Sequence, residues 1–355
     1  MKKNIFILTT VLLLVSSLPL FSEETEKKQP EPEKKYHDVW GELSVFAPVQ
    51  IFNYPNKRVT GFQFSLLYGT TYTLKGFSLG MVHSAAEDVT GLQLNMGNFS
   101  GGTIRGLQAG LINRSRSLRG MEIATLNITT SDVKGLQMGC INMATNFFEE
   151  KKTFLEDKTY HGTQIGFINI TDNITGAQIG FINFADTAKG LQLGLVNISD
   201  SIEGVPIGFI NIYTNGFWDI STFFSMNTLL NVAVKSRGKW SYGIFMLGYD
   251  PRSDRSLDRA SLGFGFGFHF TFGVFYLDTD LTYNLTSKGF NKDLFNHDSG
   301  TSGGYATLKL RLLPGWQIIE RVSVFAGPVC NLYPPINRNF GYSFDFNAGA
   351  TITVF

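Results

Sequence analysis

A phrase of fourteen or fifteen residues recurs about ten times between Gly61 and Tyr213, and a period that short admits few folds. The stretches Gly135 to Asn142 (GLQMGCIN), Gly162 to Asn169 (GTQIGFIN), Gly176 to Asn183 (GAQIGFIN) and Gly190 to Asn197 (GLQLGLVN) are nearly interchangeable. No single copy can bury its own apolar side chains, so the copies must stack as an array.

Numbered from its leading Gly, the phrase is apolar at positions 2, 4 and 6 in most copies and mostly Gln at position 3 (Gln63, Gln93, Gln108, Gln137, Gln164, Gln178, Gln192). Position 5 is small, position 7 is usually Ile, Val or Leu, and position 8 is Asn at Asn98, Asn113, Asn127, Asn142, Asn169, Asn183, Asn197 and Asn211. A further apolar residue, such as Val133, Ile174 or Ile202, precedes the next Gly by two places.

Alternation breaks between positions 6 and 7, whereas a membrane strand turns every second residue to lipid over about 9–11 residues. A bend there makes each copy one coil of a parallel β-solenoid, with positions 2, 4, 6, 9 and 13 expected inside. Parallel stacking sets Asn over Asn, so the asparagines are expected to form a hydrogen-bonded ladder. Hairpins would instead double the period and distinguish odd from even copies. The alternative is one large up-and-down barrel that includes the repeats.

The chain opens with Lys2 and Lys3, then an apolar run from Ile5 to about Leu20, the order of a signal peptide over 1–22. Residues 23–36 (EETEKKQPEPEKKY) read as a charged, disordered linker. The formal charge is +1, and +1 − 2 = −1 without Lys2 and Lys3, so nothing points to nucleic acid. Cys140 stands where other copies carry Phe, Leu or Met and is expected to be buried rather than bonded to the distant Cys330. The segment from Asn146 to Tyr160, which holds Lys151, Lys152 and Lys158, reads as a loop thrown out from one coil.

From about Asp219 the pattern becomes long, clean alternation. Leu262, Phe264, Phe266, Phe268 and Phe270 oppose Gly263, Gly265, Gly267 and His269, and Phe344, Phe346 and Ile352 oppose Asp345, Asn347 and Thr351. Apolar groups outward and glycine or polar groups inward is what lipid demands of barrel strands. Candidate strands fall near 219–235, 239–250, 259–272, 274–286, 304–313, 321–331 and 340–355. An eighth, over 37–57, would close the barrel from upstream. The expected organisation is thus a first barrel strand at 37–57, repeats over 58–217 and an outer-membrane-type antiparallel β-barrel over 218–355. With the repeats inserted in the first loop, short turns inside and long loops outside place them outside the cell.

The Gly-Leu-Gln-x-Gly-x-x-Asn phrase, after a signal peptide and before a barrel-like tail, resembles the surface repeat-containing proteins of spirochaetes, the leptospiral type in particular. That resemblance covers Gly61 to Tyr213 and implies an exported, surface-associated protein of the cell outer membrane with no defined reaction. The N-terminal cysteine of a lipoprotein is missing, so the chain must be held by its own strands.

Little in the sequence points to catalysis, and no cofactor or metal is expected: the five histidines are scattered singly. The sharpest catalytic grouping is His269 with Asp278, Asp280 and Asn284 on inward faces of neighbouring strands, against which stands a barrel interior filled by polar groups that satisfy one another. The function expected is display of a repetitive face of Gln, Gly, Ser and Thr for adhesion to a host macromolecule, glycan or neighbouring surface protein, with outer-membrane lipid around the barrel. Its rivals are a channel and, further off, a lipid-modifying enzyme.

Overall fold

A computed structural model describes residues 36–354 apart from 47–48, 53, 55, 146–158, 227, 251–258, 289–304 and 337–338. The signal peptide, nearly all of the linker and the loop with Lys151, Lys152 and Lys158 lie outside the described residues. From His37 onward the chain forms one compact unit made of two β structures, a parallel solenoid and a closed antiparallel barrel.

Each coil of the solenoid lies parallel and in register on the next. Gln164 pairs with Gln178, Gly166 with Gly180 and Asn169 with Asn183, and the same pairing carries on to Asn197 and Asn211. A coil contains up to three short extended runs, seen in Thr103–Ala109, Ile112–Ser115 and Ser117–Leu118. At about 4.8 Å per coil the column is about 50 Å long.

The facing of the residues is the reverse of the expected one over most of the coil. Positions 3 and 8 point inward, with the glutamines and asparagines at 0% exposure, and so does the residue two places before each Gly: Val59, Leu74, Val89, Ile104, Leu118, Val133, Ile174 and Ile202. Because strand side chains alternate, Gln inside forces positions 2 and 4 outside. Position 6 is outside as well, and Cys140, which occupies it, is exposed with a free thiol.

The leading glycines are needed for close approach. Gly91 has φ +132°, and a Cβ there would lie 2.0 Å from the carbonyl oxygen of Gly76 one coil below.

The segment assigned to a first barrel strand, 37–57, belongs to the solenoid. His37–Phe46 pairs in parallel with Lys57–Thr71, with Glu42 beside Gln63, and so forms the first coil. Alternation alone does not distinguish a coil segment from a barrel strand, since both have a period of two. Val49–Gln50 folds back antiparallel on His37–Phe46 and covers part of the open edge, which blunts edge-to-edge pairing.

The barrel is complete without that segment. Its eight strands are Phe217–Phe224, Leu230–Arg237, Ser241–Asp250, Arg259–Phe272, Phe275–Lys288, Tyr305–Ile319, Val322–Ile336 and Asn339–Thr353, and the first closes on the last through pairs such as Ser221 with Thr351. The stretch expected as one strand over 219–235 is a hairpin, Ile220 facing Val234. Apolar side chains such as Ile220, Phe245, Leu312 and Phe346 point outward. Exposed Trp218, Trp240, Phe275 and Trp316 gather at the short-turn end and Tyr249, Tyr342 and Phe344 at the other, the two aromatic belts of a membrane barrel.

Gly91→Ala should destabilise the solenoid by about 1–3 kcal/mol through overpacking against the Gly76 carbonyl. The check is a thermal melt of the full chain in detergent, in which the barrel band on unheated gels stays unchanged.

Candidate functional site

Buried amides organise the solenoid. Along position 8, Asn98 Nδ2 donates to Asn113 Oδ1 at 2.9 Å, and the same bond repeats from Asn113 to Asn127 at 3.0 Å and from Asn127 to Asn142 at 2.8 Å. It continues from Asn142 to Asn169 at 2.9 Å, Asn169 to Asn183 at 2.9 Å, Asn183 to Asn197 at 2.8 Å and Asn197 to Asn211 at 2.8 Å. The second proton of the amide goes to backbone, as from Asn169 to the Ile179 carbonyl at 3.0 Å. Position 5 must be small to leave room: a Cβ at Gly166 would sit 2.6 Å from Asn142 Nδ2.

The glutamines form a second ladder with the opposite sense. Gln164 Nε2 donates back to Gln137 Oε1, Gln178 to Gln164 and Gln192 to Gln178, each at 2.9 Å. The two ladders therefore set their amide dipoles against each other inside one column.

Three titratable residues stand in these rows. His83 occupies the asparagine row, accepting from Gln93 Nε2 at its Nδ1 (2.6 Å) and lying 3.2 Å from Thr71 Oγ1 through Nε2; burial lowers its pKa to about 3, so the ring is neutral. Glu42 occupies the glutamine row in the first coil and is paired with Lys57 at 2.9 Å. Glu122 occupies the same row in mid-column, fully buried, and accepts from Ser115 at 2.6 Å and Gln137 at 2.9 Å. Burial raises its pKa above the ordinary carboxyl range. In the neighbouring coil Gln108, registered against Glu122, has an Oε1 atom that lacks a donor. Elsewhere in this row the residue at that place is an amide that donates back to the preceding coil, as Gln178 does to Gln164.

The outside of the column is apolar. Leu79, Met81, Met96, Leu111, Ile123, Met138, Phe167, Phe181 and Leu193 are exposed at positions 4 and 6. Phe167 and Phe181 stack across adjacent coils with ring centroids 4.8 Å apart. The polar face of Gln expected for adhesion is therefore not at the surface.

The barrel lumen is filled. Arg311 forms a two-pronged pair with Asp280 at 2.6 and 2.9 Å, and Tyr242 donates to the same carboxylate at 2.7 Å. Lys235 and His269 both engage Asp278 at 2.5 Å. Asn284 lies apart from this group, bonded to Thr282 at 2.9 Å. Phe223, Ile244, Met246, Leu313 and Phe325 pack around the charges. His269 is thus brought to Asp278 as expected, but the carboxylate is shared with a lysine, an arrangement of mutual satisfaction. Gly263, Gly265 and Gly267 lie on the inner wall, registered against Asn284, Thr282 and Asp280. Among the described residues no cluster of three His, Cys, Asp or Glu could hold a metal.

The two structures meet at the last coil. Ser236 donates to the Asn211 carbonyl, and Ser241 to the Pro206 carbonyl at 2.5 Å. The rings of Phe209 and Phe264 meet edge to face with centroids 5.0 Å apart, on the outer wall of the barrel.

Fold and site together define a class: a small, closed, outer-membrane-type barrel carrying a parallel repeat solenoid. No protein-family model matches the chain, and no curated protein sequence matches it. Among solved structures the chain is similar to the N-terminal β-barrel domain of Pseudomonas aeruginosa OprF, at 11% identity and a TM-score of 0.29, over 39% of this chain and 100% of that one. It is also similar to the Neisserial surface protein A, at 15% identity and a TM-score of 0.26, over 39% of this chain and 93% of that one. The spirochaetal resemblance rests on the repeat residues alone.

Glu122→Gln should complete the glutamine row and give Gln108 the donor it lacks, stabilising the column by about 1–3 kcal/mol. Since the folded-state pKa of Glu122 is raised, the folded chain holds the proton above the unfolded value and wild-type stability falls as pH rises through that window. The advantage of the variant in Tm should therefore grow as pH rises above the ordinary carboxyl range, and parallel pH profiles would count against the assignment.

Proposed function

We propose that this chain is an outer-membrane protein in which the barrel is an anchor and the solenoid is a rigid platform for macromolecular binding. The observation that carries this reading is the filled lumen. Eight strands enclose a space that side chains can fill, and here Arg311, Asp280, Tyr242, Lys235, Asp278 and His269 fill it with paired charge. An anchor of this kind leaves function to what it carries. The repeat then supplies many similar contacts, whose strengths multiply through avidity.

Loop lengths indicate a side of the membrane. The tight turns at 238–240, 273–274 and 320–321 share one end of the barrel with Phe217, where the solenoid joins, and with the C-terminal end of the last strand. The longer connections 251–258 and 289–304 are at the other end. Outer-membrane barrels keep short turns in the periplasm and long loops outside. The expectation of an array outside the cell rested on a barrel strand upstream of the repeats, which the solenoid has absorbed. With the observed connectivity, that rule supports a solenoid on the periplasmic side of the membrane. That placement favours a neighbouring envelope protein or an envelope glycan over a host molecule as partner.

Two measurements test the reading. Purified protein in planar bilayers should show no stable conductance, and a steady ohmic current would replace the anchor by a pore. Protease added to intact cells should spare Lys151, Lys152 and Lys158 until the outer membrane is permeabilised; cutting there in intact cells would return the solenoid to the cell surface.

A further inference from the structure

The solenoid exterior has a chemistry that its interior does not use. From one coil to the next, position 4 runs Leu79, Leu94, Ala109, Ile123, Met138, Ile165, Ile179 and Leu193, and position 6 alongside it is also predominantly apolar. A soluble monomer rarely leaves so long an apolar stripe in water. The residue just before each leading Gly is exposed; it is basic at Lys75, Arg105, Arg119, Lys134 and Lys189 and acidic at Glu203. Of these, Arg105 meets Asp88 at 2.6 Å and Lys189 meets Glu203 at 3.6 Å.

We infer that this face lies against the phospholipid leaflet next to the short-turn end of the barrel, with acyl chains on the apolar stripe and anionic headgroups on the basic row. Three observations favour lipid over a protein partner. The stripe is continuous with a surface that is itself lipid-facing, since Phe209 at position 6 of the last coil packs on Phe264 of the outer barrel wall. The junction is beside Trp240, in the aromatic belt that marks headgroup level. An apolar face bordered by cations is also the pattern of elements that lie in a membrane interface. The column would then rest on the membrane along its length instead of standing off it.

The inference rests on the barrel being embedded in bilayer, and two native thiols separate the two claims. Cys330 alternates with inward Val329 and Asn331 and so lies on the outer barrel wall, while Cys140 lies on the apolar stripe. The full chain is folded into vesicles of phosphatidylcholine with and without phosphatidylglycerol, treated with a membrane-impermeant maleimide, and the modified cysteine identified by peptide mapping. Cys140 should react roughly tenfold or more slowly than a cysteine placed at the exposed turn by Asp132→Cys. Equal rates at Cys140 and that turn, with Cys330 protected, would overturn the lipid contact and leave the anchor standing. Rapid modification of Cys330 as well would overturn the anchor too.

A second readout identifies what covers the face. A bimane on Cys140 in a Cys330→Ala variant should be quenched by acyl-chain doxyl lipids and not by aqueous iodide. A label shielded from iodide yet unquenched by lipid would mean that protein covers the face, which overturns the inference. Lys134→Glu with Arg119→Glu should reduce the lipid quenching in anionic vesicles and leave it unchanged in neutral ones.

Discussion

A primary amide has two protons to give and an oxygen to receive, and burying it without partners costs several kcal/mol. In this column each interior asparagine meets that demand from its neighbours above and below and from backbone. Everything else in the solenoid follows from keeping that chain unbroken: glycines at the leading position let backbones approach, glycine at position 5 leaves room for the amide, and the single apolar row of Val59, Leu74, Val89 and their successors fills the remaining space. Polar groups that are fully satisfied in a low-dielectric interior give specificity of register that apolar packing alone gives less well.

The same condition turns the column inside out relative to a water-soluble domain. With Gln and Asn committed to the interior, strand alternation leaves Leu, Ile, Met and Phe outside. The barrel reaches a comparable arrangement by another route. Its interior holds Arg311 against Asp280 and Lys235 against Asp278, and its exterior is apolar because lipid is the solvent there. Two unlike β architectures in one chain thus share a polar inside and an apolar outside, and they join where Phe209 of the last coil packs on Phe264 of the outer barrel wall.

Much of this was legible in the residues. The period, the parallel stacking and the placing of Asn over Asn follow from the repeat, and the barrel faces follow from alternation such as Phe264, Phe266 and Phe268 against Gly263, Gly265 and Gly267. What misled was the habit of putting amides at the surface. That habit fails when identical amides stack at the spacing of a β ladder, because each copy becomes the partner of the next. The hairpin within 219–235 was hidden because its turn, from Ser225 to Leu229, has neither Gly nor Pro. The first coil was hidden because a two-residue period looks alike in a coil and in a barrel wall. The pairing of His269 with Asp278 could be read from facing positions on adjacent strands; Lys235, three strands away from Asp278, carried no such signal.

Because the coils around Gly176 each offer an asparagine donor and a glutamine acceptor to the next coil and the converse to the preceding one, excision or duplication of one whole period, for instance from Gly176 to Lys189, leaves matching surfaces to rejoin. The terminal coils differ from these, one closed by Glu42 and Lys57 and the other seated on Ser236 and Ser241. Extent along the axis is then an evolutionary dial that unequal recombination can turn without redesigning either end.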